Sequence, residues 1–409
     1  MLGAPRDEHH AAARPQQQQQ QQQQHDAPSS STTLVLACAD CLHRGDVAGA
    51  RRALDALAAR ADHRGDAADR LAHHFARALA RRAGDVDRGG AAAAAPPPPP
   101  PPSTSAYLAY NQIAPFLRFA HLTANQAILD AAAAGGGARR VHIVDLDAAH
   151  GVQWPPLLQA IADRADPAVG PPEVRITGAG PDLDVLRRTG DRLRAFAGSL
   201  NLPFRFDPLP LPCAAQLAAG LELHPDETLA VNCVLFLHRL GGEDDRLCAF
   251  LRWVKSMNPA VVTIAEREAA IGGGGGGGGG GHGDHPDELP RRVAAAMGYY
   301  AAVFDALEAT APPGSAERLS VEHEVLGREI DAAVAPGLAG GGARGFESWV
   351  SAARAAGLSP RPLSPFAVAQ ARLLLRLHYP SEGYAAEEAR GACFLGWQKR
   401  PLMSVSSWQ

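Results

Sequence analysis

Hydrophobic positions along this 409-residue chain change their period near residue 140. Before that point they recur every three or four residues, and after it short apolar runs alternate with helical stretches. Within residues 33–130, Leu34, Ala37, Cys38, Cys41 and Leu42 fall on one helical face, with Thr32 or Thr33 placed to cap it. Beyond Gly45, Asp46 caps a second predicted helix whose face is Val47, Ala50, Leu54, Leu57, Ala58 and Ala61. Asp66 starts a third, with Leu71, Phe75, Ala78 and Leu79 inward. From residue 141 the pattern predicts strands at 141–146, 173–178, 203–206, 228–234 and 260–265 with helices between them. Such alternation predicts an α/β fold, a mostly parallel sheet with helices on both faces. Near the end, 321–326, 371–378 and 392–407 contain strand-like runs that suit an antiparallel hairpin at the sheet edge.

Low-complexity tracts punctuate this pattern. Residues 1–30, with glutamine from Gln16 to Gln24, lack the apolar content to offset ordering entropy and are expected to be a disordered head. Ala91–Ala95 followed by Pro96–Pro102 predicts an extended polyproline linker. Gly272–Gly281 predicts a flexible loop, and 336–345 forms a weaker glycine-rich break.

Composition narrows the class. Hydrophobic residues make up 46% of the chain, enough for a sizeable core, yet no run of 18 apolar residues occurs and the N-terminus is polar. Neither a membrane span nor a secretory signal is expected. Cysteines at 38, 41, 213, 233, 248 and 393 are too scattered for a disulfide framework. A net charge of −4 gives no general pull toward nucleic acid. Lysine occurs only at Lys255 and Lys399, and basic residues come as pairs (Arg51-Arg52, Arg187-Arg188, Arg291-Arg292) without a polybasic run.

The stretch from Val141 to Trp154 carries the strongest chemical signal. Val141, Ile143 and Val144 suit a strand buried on both faces, a turn spans Asp145–Gly151, and Trp154-Pro155-Pro156 opens a helix. A dinucleotide cradle at this turn wants Gly-x-Gly-x-x-Gly, and the chain offers one glycine. Asp145 and Asp147 stand where open α/β sheets place ligands, and two readings follow: they serve a methyl-donor cofactor or a metal, or they pin the turn. His142 reads as a structural histidine within the strand, and His150, in the turn, as the better ligand candidate without a second histidine at metal spacing. Cys38 and Cys41 form a Cys-x-x-Cys on an amphipathic helix with no second pair, which favours small core residues over zinc. No Gly-x-Ser-x-Gly elbow or Walker loop is present, which excludes serine-hydrolase and P-loop chemistry. Leu186, Leu193 and Leu200 recur every seven residues behind Asp182, beside Phe196; they suit a helix packed on the sheet or, alternatively, a partner surface.

Val141-His142-Ile143-Val144-Asp145 resembles the VHIID motif of the GRAS family, plant nuclear regulators of transcription. Thr33–Asp46 is similar to the family's opening helix, Asn111–Leu129 to the segment before VHIID, and Gln153-Trp154 to the motif's continuation. Leu237-His238-Arg239-Leu240 matches Leu-His-x-Leu, and Trp397 through Ser406-Ser407-Trp408 resembles the terminal SAW region. His121–Asn125 and Tyr379–Tyr384 look most like the lateral suppressor and monoculm group. The resemblance implies a methyltransferase-like Rossmann core with an antiparallel C-terminal edge and an N-terminal α-helical cap. It implies one GRAS domain over 31–409: leucine-rich region I at 31–83, the linker at 84–105, the VHIID region at 106–171, leucine-rich region II at 182–214, the PFYRE region at 228–330 with its glycine loop at 272–283, and SAW at 333–408.

The implied function is a nuclear regulator acting through protein–protein contacts, with DNA contact as a further option, in axillary meristem initiation and shoot branching. Its implied partners are transcription factors, co-regulators or a second GRAS chain, with no enzyme activity, cofactor, metal or membrane. The competing reading is an S-adenosylmethionine-dependent methyltransferase using the 145–151 crevice. Three departures stand out: Val144 replaces isoleucine, Ser407 replaces the SAW alanine, and the PFYRE region keeps only echoes at Tyr299-Tyr300 and Phe304. Asp287-Glu288-Leu289-Pro290 lies in the wrong region for a DELLA sequence.

Overall fold

The computed structural model describes residues 30–87, 102–134, 139–210, 221–240, 244–268, 288–335 and 344–409. Residues 1–29 of the glutamine head, Pro96–Pro101 of the polyproline tract and the glycine loop at 272–281 lie outside them.

Five helices lead the chain: α1 (Ser30–His43), α2 (Val47–Ala58), α3 (Ala67–Asp87), α4 (Thr104–Ile113) and α5 (Phe116–Ala134). Asp46 caps α2 as expected, its carboxylate accepting the Gly49 N–H at 2.7 Å. Leu71, Phe75, Ala78 and Leu79 form the buried stripe of α3. On α1 the buried face is Val35, Cys38, Ala39 and Leu42, with Ala37 outside. The helix starts at Ser30, ahead of the expected threonine cap, and Leu34 and Cys41 are only partly buried at the margin of its inner face.

The sheet follows with β1 (Arg140–Asp145), α6 (Trp154–Asp163), β2 (Glu173–Gly180), α7 (Leu183–Ser199), β3 (Phe204–Pro210), β4 (Thr228–Val234), a 3₁₀ turn at Leu237–Leu240, α8 (Asp244–Ser256) and β5 (Val261–Arg267). These five strands run parallel in the order β3-β2-β1-β4-β5. Alternate residues of β1 feed opposite faces: Ile143 packs with Trp154 and Ile176, and Val144 with Leu251 and Trp349. The five strands expected between 141 and 265 are present, four of them within about two residues of their expected bounds, while β3 runs four residues past its predicted end at 206.

After α9 (Glu288–Thr310), α10 (Ala316–Val321), α11 (Gly327–Val334) and α12 (Phe346–Ala355), the short β6 (Pro360–Arg361) precedes α13 (Pro365–His378). The strands β7 (Tyr384–Ala389), β8 (Ala392–Trp397) and β9 (Arg400–Trp408) finish the sheet as β5-β9-β8-β7, all antiparallel, with β6 also on β9. Two of the three strand-like C-terminal runs are therefore helical. Residues 371–378 sit in α13, where Ser364 caps the first turn by accepting the Ala367 N–H and leucine and arginine favour helix. Residues 322–326 form a π turn joining α10 to α11. That turn aims Glu322 at Arg70 (2.9 Å), both side chains 1% exposed, while Glu308 bridges Arg70 at 2.6 Å and Arg318 at 3.2 Å. A strand would turn alternate residues outward and break this buried cluster.

The helical cap is thus not N-terminal alone, because α9 packs on α1 and α3, and α11 packs on α3. Its core also takes Leu395, Leu402 and Val405 from the last hairpin. Trp397 is buried, donates to Asp305 at 2.6 Å and meets Tyr384 edge-on at 4.7 Å. Gly383 leaves room for that indole, since a Cβ there would stand 2.3 Å from it. Trp408 pairs with Val262 across β9–β5 and donates to Ser406 at 2.9 Å. The serine that replaces the motif alanine is also satisfied: Ser407 donates to the Arg361 carbonyl of β6 at 2.7 Å.

Trp397→Ala should therefore cost about 3–5 kcal/mol in urea unfolding, because a buried indole and its hydrogen bond are lost together. Truncation before Gly391 should remove cooperative melting; a truncated chain melting like the intact one would show that the hairpin is dispensable.

Candidate functional site at the carboxyl ends of β1, β4 and β5

Asp145 ends β1 and is 3% exposed. Its Oδ2 accepts the Trp154 indole N–H at 2.9 Å and its Oδ1 accepts from Asn232 Nδ2 at 3.1 Å. A longer 3.4 Å contact brings in the Asp147 N–H. Burial pushes the Asp145 carboxyl up to about 7, against the opposing pull of the Asn232 hydrogen bond. Asn232, on β4, also exchanges hydrogen bonds with Gln153, donating to Oε1 and accepting from Nε2, both at 3.1 Å. Gln153 donates to Asn125 of α5 at 3.1 Å, Asn125 returns a bond to the Gln153 carbonyl at 2.9 Å, and Thr263 of β5 donates to Asn232 at 2.9 Å. One buried network thus ties α5, β1, α6, β4 and β5 together at the place where open α/β sheets hold their ligands.

The turn that follows is equally occupied. Gly151 adopts φ +65°, and a Cβ there would meet the Thr189 methyl at 2.6 Å. Thr189 donates to the Ala149 carbonyl at 3.0 Å and Arg192 to the His150 carbonyl at 3.1 Å, so α7 holds the turn from outside. Asp147 pairs with Arg239 of the 3₁₀ turn at 2.7 Å. The ring of His150 lies against Tyr107, and burial and two arginines hold its imidazole below the usual histidine range. Asp182, the first carboxylate after β2, accepts the Asp184 and Val185 N–H groups and caps α7.

The remaining motif positions are structural in their contacts. His142 is fully buried, bonded to Thr177 at 2.8 Å and to Arg175 at 3.1 Å, and burial lowers its imidazole to about 4. Glu227 Oε2 also lies 3.2 Å from the same Nδ1, so the ring sits between Thr177 and the Arg175–Glu227 pair. Arg175 in turn grips Glu227 at 2.6 Å. In the Leu-His-x-Leu segment, Leu237 is buried and Leu240 half-buried; Glu266 at the end of β5 accepts the Leu237 N–H at 2.7 Å and faces the His238 ring at 3.1 Å. Leu186 and Leu193 are 1% and 3% exposed against the sheet with Val141, and Leu200 packs beside them. These leucines belong to the core; any partner surface on α7 is its opposite, polar face. Cys38 is buried, its thiol pushed up to about 12 by burial and then by Cys41, and it contacts the Ala50 carbonyl. Among the described residues no group of three or more potential ligands is placed to hold a metal.

The pattern alone did not single out Asn125, Asn232, Thr263 or Glu266. Their signal is a polar residue inside an apolar run, Val-Asn-Cys-Val in β4 and Val-Thr-Ile-Ala in β5. A buried polar side chain needs a partner, so such an interruption marks a network.

Together these features define a Rossmann-like α/β domain whose carboxyl-edge residues Asp145, Gln153, Trp154 and Asn232 are hydrogen-bonded to one another. The chain belongs to the GRAS domain family, whose pattern matches residues 31–409. It is 64% identical to Protein MONOCULM 1 of Oryza sativa subsp. japonica over 92% of this chain and 87% of that one. It is 46% identical to Scarecrow-like protein 18 of Arabidopsis thaliana, over 74% and 67% of the two chains. The crystal structure of SCL7 in Oryza sativa superimposes with a TM-score of 0.75 at 34% identity, covering 93% of this chain and all of that one. It is a plant GRAS transcription regulator of the monoculm and lateral suppressor group.

The network makes a pH prediction. Between about pH 4 and 7 folded Asp145 holds a proton that the unfolded chain releases, so its contribution is full below about pH 4 and is lost as pH rises through 7. Asp145→Asn removes this dependence. Its stability relative to wild type should improve by about 1–3 kcal/mol between pH 5 and 8 in urea melts; parallel curves would contradict the assignment.

Proposed function

We infer that this chain is a non-enzymatic nuclear regulator that works by binding other proteins and acts in axillary meristem initiation and shoot branching. The observation that carries the reading is the hydrogen-bonded network at the carboxyl end of β1. Both Asp145 oxygens accept hydrogen bonds from within the fold, from Trp154 and Asn232, the Trp154 side chain is fully buried beside them, and Asp182 caps a helix. A methyl donor needs free carboxylates and an open glycine turn here, so these residues do not fit that group. Among the described residues no helix is long and apolar enough to cross a membrane. The likeness to MONOCULM 1 supports the role in branching, and family membership supports the nucleus and work in complexes with transcription factors, co-regulators or a second GRAS chain. Direct DNA contact is a finer option that the net charge of −4 does not favour.

Two measurements test this. Titration calorimetry of S-adenosylmethionine into the full-length chain should show no saturable micromolar binding, and saturation would restore the methyltransferase reading. A fluorescent fusion should enter plant nuclei and change a reporter when tethered to DNA; a cytoplasmic, silent fusion would refute the regulatory reading.

A further inference from the structure

Helix α13 carries three of the six large apolar side chains that stand exposed among the described residues: Phe366 at 53%, Leu373 at 42% and Leu377 at 63%. With 3.6 residues per turn these three share one narrow stripe, and Arg372 and Arg376 occupy the stripe beside it. The opposite face, Ala367, Val368, Ala371 and Leu375, is buried, and α13 packs on α5 and β7. Tyr379, directly after the helix, donates to the Ala114 carbonyl at 3.2 Å, which fixes that end. The exposed face is therefore a rigid rail, apolar on one side and cationic on the other.

A groove of about 500 Å³ runs along the cationic side, between Arg372, Arg376, Pro380 and the edge strand residues Tyr384 and Ala386. Arg372 donates from Nε to the Ala386 carbonyl at 3.1 Å, and among the described residues neither arginine forms an ion pair. Glu382 lines the same groove without reaching ion-pair distance of either. No acidic residue occurs anywhere in α13. A second copy laid on the same stripe would set arginine against arginine, which the charge pattern disfavours.

Resting on the protein-binding reading above, we propose that α13 is a docking surface for an amphipathic helix of another protein, one whose leucine-type residues at i, i+4 and i+7 are flanked by glutamate or aspartate. The apolar side of that helix covers Phe366, Leu373 and Leu377, and its carboxylates meet Arg372 and Arg376. An exposed apolar stripe on a helix already anchored from behind loses little entropy on binding, which suits recognition.

The test uses the full-length chain and two fluorescein-labelled helical peptides with identical leucine spacing, one flanked by glutamates and one by lysines, read by fluorescence anisotropy. The acidic peptide should bind about tenfold or more tightly than the basic one. Leu373→Ser/Leu377→Ser should weaken it by about tenfold, and Arg372→Glu/Arg376→Glu should reverse the preference between peptides. Both leucines are exposed, so melting temperatures within about two degrees of wild type are expected and separate binding from folding. Equal binding of the two peptides, or a leucine variant that binds like wild type, would overturn the proposal. A wild-type dimer that the leucine variant converts to monomer in sedimentation would overturn it too, giving the stripe to a second copy. None of these readouts involves transcription, so their failure leaves the nuclear and reporter tests of the regulatory reading standing.

Discussion

The carboxylate of Asp145 and its two side-chain donors, Trp154 and Asn232, are the constraint on which this architecture depends. A charge-bearing group 3% exposed at the end of a central strand costs several kcal/mol unless it is hydrogen-bonded or neutral. The chain answers by placing an indole N–H and an amide on the carboxylate's two oxygens. Those donors in turn fix the start of α6 and the register of β4 beside β1, because Asn232 lies directly opposite Asp145. Through Gln153 the same network reaches Asn125 on α5, so the helical layer and the sheet share one polar hinge point. At the carboxyl end of β1 this network acts as a structural lock.

The helical layer is tied together across the whole chain. The cap binds N-terminal helices to segments more than two hundred residues later through the buried Arg70–Glu322 pair, and the terminal hairpin threads its apolar residues into the same core. Fold and terminal motif are therefore inseparable, which explains how a single domain can extend from α1 to Trp408 around one continuous sheet. A regulator built this way presents a stiff frame on which exposed helix faces, such as that of α13, stay fixed in position.

Much of this frame was legible in residue order. The parallel strands followed from β-branched runs alternating with helical spacing, and Asp46 and Asp66 marked helix starts because their carboxylates satisfy free N–H groups there. Two segments misled. Residues 371–378 are as leucine-rich as a buried strand, and only the Ser364 cap and leucine's helical preference separate the two. Residues 321–326 are shaped by Arg70, some 250 positions away, which no local window contains. The heptad leucines Leu186 and Leu193 had the spacing of a zipper, yet that spacing equally describes a helix lying on a sheet, and burial decides between them. Of the site, Asp145 and Trp154 were visible as a motif, while Asn232 and Thr263 were hidden inside strands because their role is defined by neighbours in space.

The most direct test of the lock is a double-mutant cycle between Asp145 and Trp154, using Asp145→Ala, Trp154→Phe and the pair, with stabilities from urea unfolding of the full-length chain. Phenylalanine removes the indole N–H and keeps an aromatic ring, so the cycle isolates the hydrogen bond from packing. Measured at about pH 8, where the Asp145 carboxyl is ionised, the buried charged hydrogen bond predicts a coupling of about 1–3 kcal/mol. Single-variant costs that simply add, with coupling near zero, would show that the carboxylate and the indole are neighbours without being partners, and would reopen the crevice as a binding site.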